Sequence, residues 1–142
     1  MFVSDILRHK GGRIISVGTE QSVADAVALM CANRIGAVLV LHDDGGIAGI
    51  LSERDVVRAL PRFGKEITEK KVGDLMTSPV ISCSSKDPVA AIEGLMTSNR
   101  FRHVPVIDDG QLVGMISIGD VVKNRIEEAQ AEVDALRRYI AL

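Results

Sequence analysis

The chain has 142 residues, 46% of them hydrophobic but only 3% aromatic, and a net charge of −2. That length suits one compact unit around an aliphatic core. The acidic balance argues against a protein that binds nucleic acid by neutralising many phosphates, a local basic patch aside, and no apolar run is long enough to span a bilayer.

The opening MFVSDILRHK has an early aspartate and no long apolar stretch, which argues against a signal peptide. FVSDIL reads as a short helix and residues 13–17 as a short apolar strand. A helix follows over about Val23–Asn33, with Val23, Ala26, Leu29 and Met30 at helical spacing. AVLVL is a β-branched run, DDGG a turn and IAGILS the returning strand of a hairpin. ERDVVRAL then starts a second helix, and the polar PRFGKEITEKK reads as a linker over residues 61–71.

The same order then returns. Residues 80–83 read as a strand, Val89–Asn99 as a helix, HVPVI and LVGMIS as a hairpin across DDG, and GDVVKNRIEEAQ as a helix. Val23, Ala24, Leu29, Met30, Asn33 and Arg34 recur as Val89, Ala90, Leu95, Met96, Asn99 and Arg100, 66 residues on. Gly49, Ser52 and Asp55 recur as Gly114, Ser117 and Asp120, 65 residues on, because the first turn is one residue longer. Upstream, VSDIL at Val3 pairs with VGDLM at Val72. The chain is therefore a duplicated β-α-β-β-α module rather than a solenoid of short repeats. The expected division is a first repeat over residues 1–60, a linker over 61–71, a second repeat over 72–126 and a helical extension over 127–142.

Cys31 falls in a helical pattern and Cys83 in the expected strand, and both read as buried thiols in a reducing cytoplasm. His9, His42 and His103 are scattered with no metal-ligand spacing. Ser-x-x-Asp at a helix start is a capping box, in which hydroxyl and carboxylate satisfy early backbone N–H groups. The same corner can serve a ligand. Free N–H groups attract an anion, a carboxylate can accept both hydroxyls of a ribose, and the glycine ahead of it lets a flat ring approach.

Gly49–Asp55, Gly114–Asp120, RFRHVPVID at 100–108 and VGDLMTSPV at 72–80 together resemble a tandem CBS domain pair, a Bateman module, over nearly the whole chain. The resemblance implies an α/β (α+β) fold of two β-α-β-β-α repeats packed through their sheets with pseudo-two-fold symmetry. It implies clefts between them for AMP, ADP, ATP, NAD(H) or S-adenosylmethionine, with AMP the first expectation. It places Asp120 and Asp55 on ribose hydroxyls and Ser117 and Ser52 near ribose and phosphate. It also implies that each cleft borrows the first strand of the other copy. The Asp120 site would then take Arg13 and Ile15 as walls, Met115 beneath the base and Lys10 as a further cation. The Asp55 site would take Thr77, Ile81 and Ile50. Arg102 and His103 stand where the first copy has Gly36 and Ala37, and by resemblance they would contact phosphates. The Asp120 cleft is thus expected to be the stronger nucleotide site. The Asp55 cleft would be weaker, empty or used for an uncharged nucleoside. Arg102 and His103 also read as a solvated pair, and Arg54 as a solvated helix residue.

Val122, Ile126, Ala129, Val133, Leu136 and Ile140 follow at alternating spacings of four and three, an a/d seam. It suits packing on its own domain or, as CBS pairs often do, a homodimer. No Walker loop, nucleophile–base pair or metal cluster points to an enzyme. The expected function is a non-catalytic adenine-nucleotide sensor that acts on another protein. The rival is a ligand-free interaction module acting through dimerisation, in which both Ser-x-x-Asp corners are only caps.

Overall fold

The computed structural model describes residues 1–141. Along the chain lie α1 (Val3–Lys10), β1 (Ser16–Gly18), α2 (Val23–Asn33), β2 (Ala37–Leu41), β3 (Ile47–Ser52), α3 (Glu53–Phe63), a 3-10 helix (Gly64–Glu69), α4 (Val72–Leu75), α5 (Val89–Asn99), β4 (His103–Asp108), β5 (Gln111–Ser117) and α6 (Ile118–Ala141). They form two compact units that cut across the repeats. Arg13–Ile81 make one; Met1–Gly12 with Ser82 onward make the other. Each unit thus contains one hairpin together with the leading helix of the other repeat.

The 13–81 unit has a sheet in the order β1-β2-β3, with β1 parallel to β2 and β3 antiparallel. The α2 crossover starts on Ser22, whose hydroxyl accepts from the Asp25 amide at 3.1 Å, the geometry of an N-cap. It ends on Asn33, whose amide donates back to the Leu29 carbonyl (2.9 Å), and on Arg34 in the left-handed region at φ 53°. The second copy stops α5 identically, with Asn99 on the Leu95 carbonyl (2.9 Å) and Arg100 at φ 58°. The repeated Asn-Arg pair is therefore a helix stop, tolerated by residues for which that backbone is unfavourable by about 1–2 kcal/mol. Val38, Val40 and Leu51 pack with Val72, Leu75 and Met76, so α4 closes this core. The expected linker is folded rather than loose. Residues 61–63 complete α3, and the 3-10 helix buries Ile67 against Val23 and Ala59.

In the other unit β4 and β5 form a two-stranded hairpin. Val3 and Ile6 of α1 share a core with Ile92 and Met96 of α5, Val104, Val106 and Ile116 of the hairpin, and Val121 of α6. The strand expected over residues 80–83 does not form; Cys83 alone bridges β4. The cause is one atom. In the first copy the Leu39 amide donates to the Ile15 carbonyl (3.3 Å). Leu39 is replaced in the second copy by Pro105, which has no N–H to extend the ladder. Only the bonds from Cys83 N to the Pro105 carbonyl (3.0 Å) and from Ile107 N to the Cys83 carbonyl (2.8 Å) remain.

Cys83 is buried, and Cys31, expected buried, is exposed. Cys31 follows Met30 by one residue and so turns away from the face of α2 that buries Val23, Ala26 and Met30. Burial foremost, then the charges of Asp87 and Asp108, push the Cys83 thiol up to about 12.

Candidate functional site

Each Ser-x-x-Asp motif sits where a strand passes into a helix, and both are reciprocal caps. In the 13–81 unit the Ser52 amide donates to Asp55 Oδ2 (2.9 Å) and the Asp55 amide to Ser52 Oγ (3.3 Å). In the other unit the Ser117 amide donates to Asp120 Oδ2 (2.8 Å) and the Asp120 amide to Ser117 Oγ (3.2 Å). The next amides are used as well, Glu53 N by the Gly36 carbonyl (2.9 Å) and Ile118 N by the Arg102 carbonyl (2.8 Å). Three amides at each corner are therefore already used, so an anion there would draw largely on side chains.

The side chain that meets each carboxylate comes from the exchanged leading segment. Thr77 Oγ1 donates to Asp55 Oδ1 (2.9 Å), while Ser52 Oγ donates to Asp55 Oδ2 (3.0 Å), so both oxygens are engaged. The backbone of Thr77 also pairs with Ile50, at 3.0 and 2.8 Å. In the other unit Lys10 Nζ donates to Asp120 Oδ2 (2.7 Å) and to the Met115 carbonyl (2.8 Å). Lys10 and the Ser117 amide both meet Oδ2, and the Asp120 side chain is 24% exposed. Gly119 stands beside Asp120 where the first copy has Arg54. Burial pushes the Asp120 carboxyl up. The hydrogen bond and charge of Lys10, with the amide and hydroxyl of Ser117, outweigh it and hold the group below the usual carboxylate range.

Asp120, Ser117, Met115 and Lys10 are thus brought together, and Arg102 and His103 adjoin them. Arg102 is tied through its carbonyl to Ile118, and His103 pairs with Ser117 across the hairpin. Asp55, Ser52, Ile50 and Thr77 form the matching group in the 13–81 unit, which also contains an exposed Ile81. Arg13 and Ile15 belong to that same unit as Asp55. Arg13 Nη2 donates to Asn33 Oδ1 (3.3 Å), and the Ile15 carbonyl serves β2. Within each unit the exchanged element is the leading helix, and residues 13–17 stay with their own hairpin.

The motif glycines have a packing role that the sequence reading missed. A Cβ on Gly49 would meet the Thr77 carbonyl at 2.7 Å and Met76 Sδ at 2.8 Å; one on Gly114 would meet Leu7 Cδ2 at 2.7 Å. Leu7 and Met76 occupy the same place in the paired VSDIL and VGDLM segments, which was the available signal. A separate depression between α2 and α3, lined by Val27, Met30, Ile35 and Val56, contains none of the expected site residues. Among the described residues no His, Cys, Asp and Glu side chains gather as a metal site, and no helix is long and apolar enough to cross a membrane.

A repeated hairpin with a Ser-x-x-Asp corner at each strand–helix junction defines a tandem-domain protein. The chain belongs to the CBS domain family, whose model matches residues 3–62 and again 72–127. A mitochondrial CBS domain-containing protein of Arabidopsis thaliana is 37% identical over 146 residues, which cover 97% of this chain and 71% of that one. A CBS-domain-containing protein of Agrobacterium tumefaciens superposes with a TM-score of 0.85 at 42% identity, over 87% of this chain and 92% of that one. A CBS domain pair crystallised with 5′-methylthioadenosine and S-adenosyl-L-methionine superposes with a TM-score of 0.75 at 25% identity, over 87% of this chain and 98% of that one.

Proposed function

We propose that this chain is a non-catalytic regulatory module that binds an adenosine-containing ligand at Asp120 and works as a homodimer on another protein. The observation that carries the reading is the Asp120 carboxylate at the strand–helix corner, met by Lys10 of the exchanged leading segment. Oδ2 accepts from the Ser117 amide and Lys10, and Oδ1 is the oxygen that would meet a ribose hydroxyl. The related CBS pair solved with two adenosine-containing ligands supports the ligand class. Lys10, Arg102 and His103 would supply charge to phosphates, as compact and forked donors. Met115 would lie against the base. AMP, with one phosphate for these three groups, is the ligand we favour.

Asp55 is the weaker site on this reading. A ribose there must displace Thr77 from Oδ1, and the first copy has Gly36 and Ala37 in place of Arg102 and His103. Binding would act by favouring one packing of the chain over another, which a partner then reads.

The test is thermal unfolding of nucleotide-stripped protein with AMP, ADP, ATP, NAD(H) and S-adenosylmethionine. A ligand at about a hundred times its Kd adds roughly 2.7 kcal/mol, a shift on the order of several degrees for a chain of this size. Asp120→Ala should abolish that shift and Asp55→Ala should leave most of it. If Asp120 is only a cap, Asp120→Ala would lower stability by about 0.5–2 kcal/mol and leave any ligand response unchanged.

A further inference from the structure

The surface not used by either motif is on α6. The helix is anchored at its start, where Val121 and Asn124 are buried and Arg125 pairs with Glu93 of α5 at 3.2 Å. From Ala129 to Ala141 every residue is exposed. The large side chains of the seam, Val122, Ile126, Val133, Leu136 and Ile140, are between 41% and 80% exposed. At about 100° per residue the seam lies roughly 130° round the helix from Val121 and Asn124. The helix is therefore held by one side and leaves an apolar stripe uncovered on another.

We propose that this seam pairs with the same seam of a second copy, as a parallel two-stranded coiled coil. This deepens, and rests on, the reading of the chain as a homodimer. It is independent of the nucleotide. The first argument is residue type. Ile126, Val133 and Ile140 fall at a, and Val122, Ala129 and Leu136 at d. β-branched residues at a with leucine at d favour two parallel strands. The second argument is charge. Glu132 falls at g and Arg137 at e, five residues on. Neither has a hydrogen bond or ion pair among the described residues, whereas Arg125 and Asp134 have partners within the chain. A parallel pair sets Glu132 of each copy beside Arg137 of the other. An antiparallel pair on the same seam sets Glu132 against Glu132 and Lys123 against Arg137, all like charges. The third argument is nucleation. A seam this short is marginal for free peptides, but the first turns of α6 are already fixed on the folded unit.

Sedimentation equilibrium of the full chain tests this, with circular dichroism to confirm folding. Leu136 is exposed, so Leu136→Asp should leave the fold intact yet weaken association at least about a hundredfold, since two leucines lose their cover. Glu132→Arg should weaken it about tenfold, and Glu132→Arg with Arg137→Glu should restore it. A monomeric parent would overturn this proposal and the homodimer reading together. A dimer unaffected by Leu136→Asp would overturn the seam alone. Tighter association in Glu132→Arg would overturn the parallel arrangement. Ligand-induced stabilisation should persist in Glu132→Arg.

Discussion

Gly49 and Gly114 hold the same position in the two hairpins, but what presses on them differs in kind. The Thr77 carbonyl over Gly49 is fixed by the Ile50 amide at 3.0 Å and cannot withdraw. The Leu7 methyl over Gly114 is the end of a flexible side chain that can rotate away. Gly49→Ala should therefore cost about 1–3 kcal/mol, as overpacking does, and Gly114→Ala less than about 1 kcal/mol. Urea unfolding of the two variants decides it; equal costs would mean that the Thr77 segment yields as readily as Leu7. Asp120 gives a second test at this scale. Its folded pKa lies below the ordinary value of about 3.9. Its contribution is therefore present above that value and lost as pH falls through the lower, folded one. Asp120→Asn should make the acid limb of the stability–pH curve shallower, read from denaturation midpoints across acid pH. An unchanged limb would show that the Lys10 and Ser117 contacts of the carboxylate do no more than offset its burial. The motif residues themselves were legible because they recur in register. What covers the glycines was not, since the contact is between repeats far apart in sequence.

At the scale of elements, the two copies diverge where chemistry removes a donor. Residues 13–17 and 80–83 look like matching strands because both are short and apolar, yet only Ser16–Gly18 forms one. Periodicity cannot register that Pro105, in the facing strand, ends the ladder. Pro105→Val restores an N–H at nearly the same volume. It should supply the donor that extends the ladder ahead of Cys83, as Leu39 does toward Ile15 in the first copy. Hydrogen exchange would then show a protected amide at position 105. Rapid exchange there would mean that the segment before Cys83 cannot be drawn into the sheet. The helices were read more closely, over Val23–Asn33 and Val89–Asn99 in both cases. Their apolar spacing is local, and the Asn-Arg stop belongs to the same few residues. The 61–71 stretch was read as a linker on its polarity, and one residue, Ile67, folds it down.

For the whole molecule, the exchange of leading helices sets which pieces of chain can fold. The first repeat spans residues 1–60, whereas the compact unit that holds its hairpin is Arg13–Ile81. A fragment of residues 1–60 would lack Ile67 and Val72, both buried in the structure, along with Leu75 and Met76, which pack beside them. Ile67 and Val72 alone contribute about 3–6 kcal/mol of apolar burial. That is a large share of the 5–15 kcal/mol available to a typical domain. The same fragment would expose Val3 and Ile6, whose core partners lie beyond residue 82. A fragment of residues 13–81 keeps β1-β2-β3, α2, α3, the 3-10 helix and α4 with their shared cores intact. It should unfold cooperatively on heating and show dispersed amide resonances, whereas residues 1–60 should show neither. Cooperative unfolding of residues 1–60 would mean that the first repeat closes its own core without α4, and that the exchange is not required for folding.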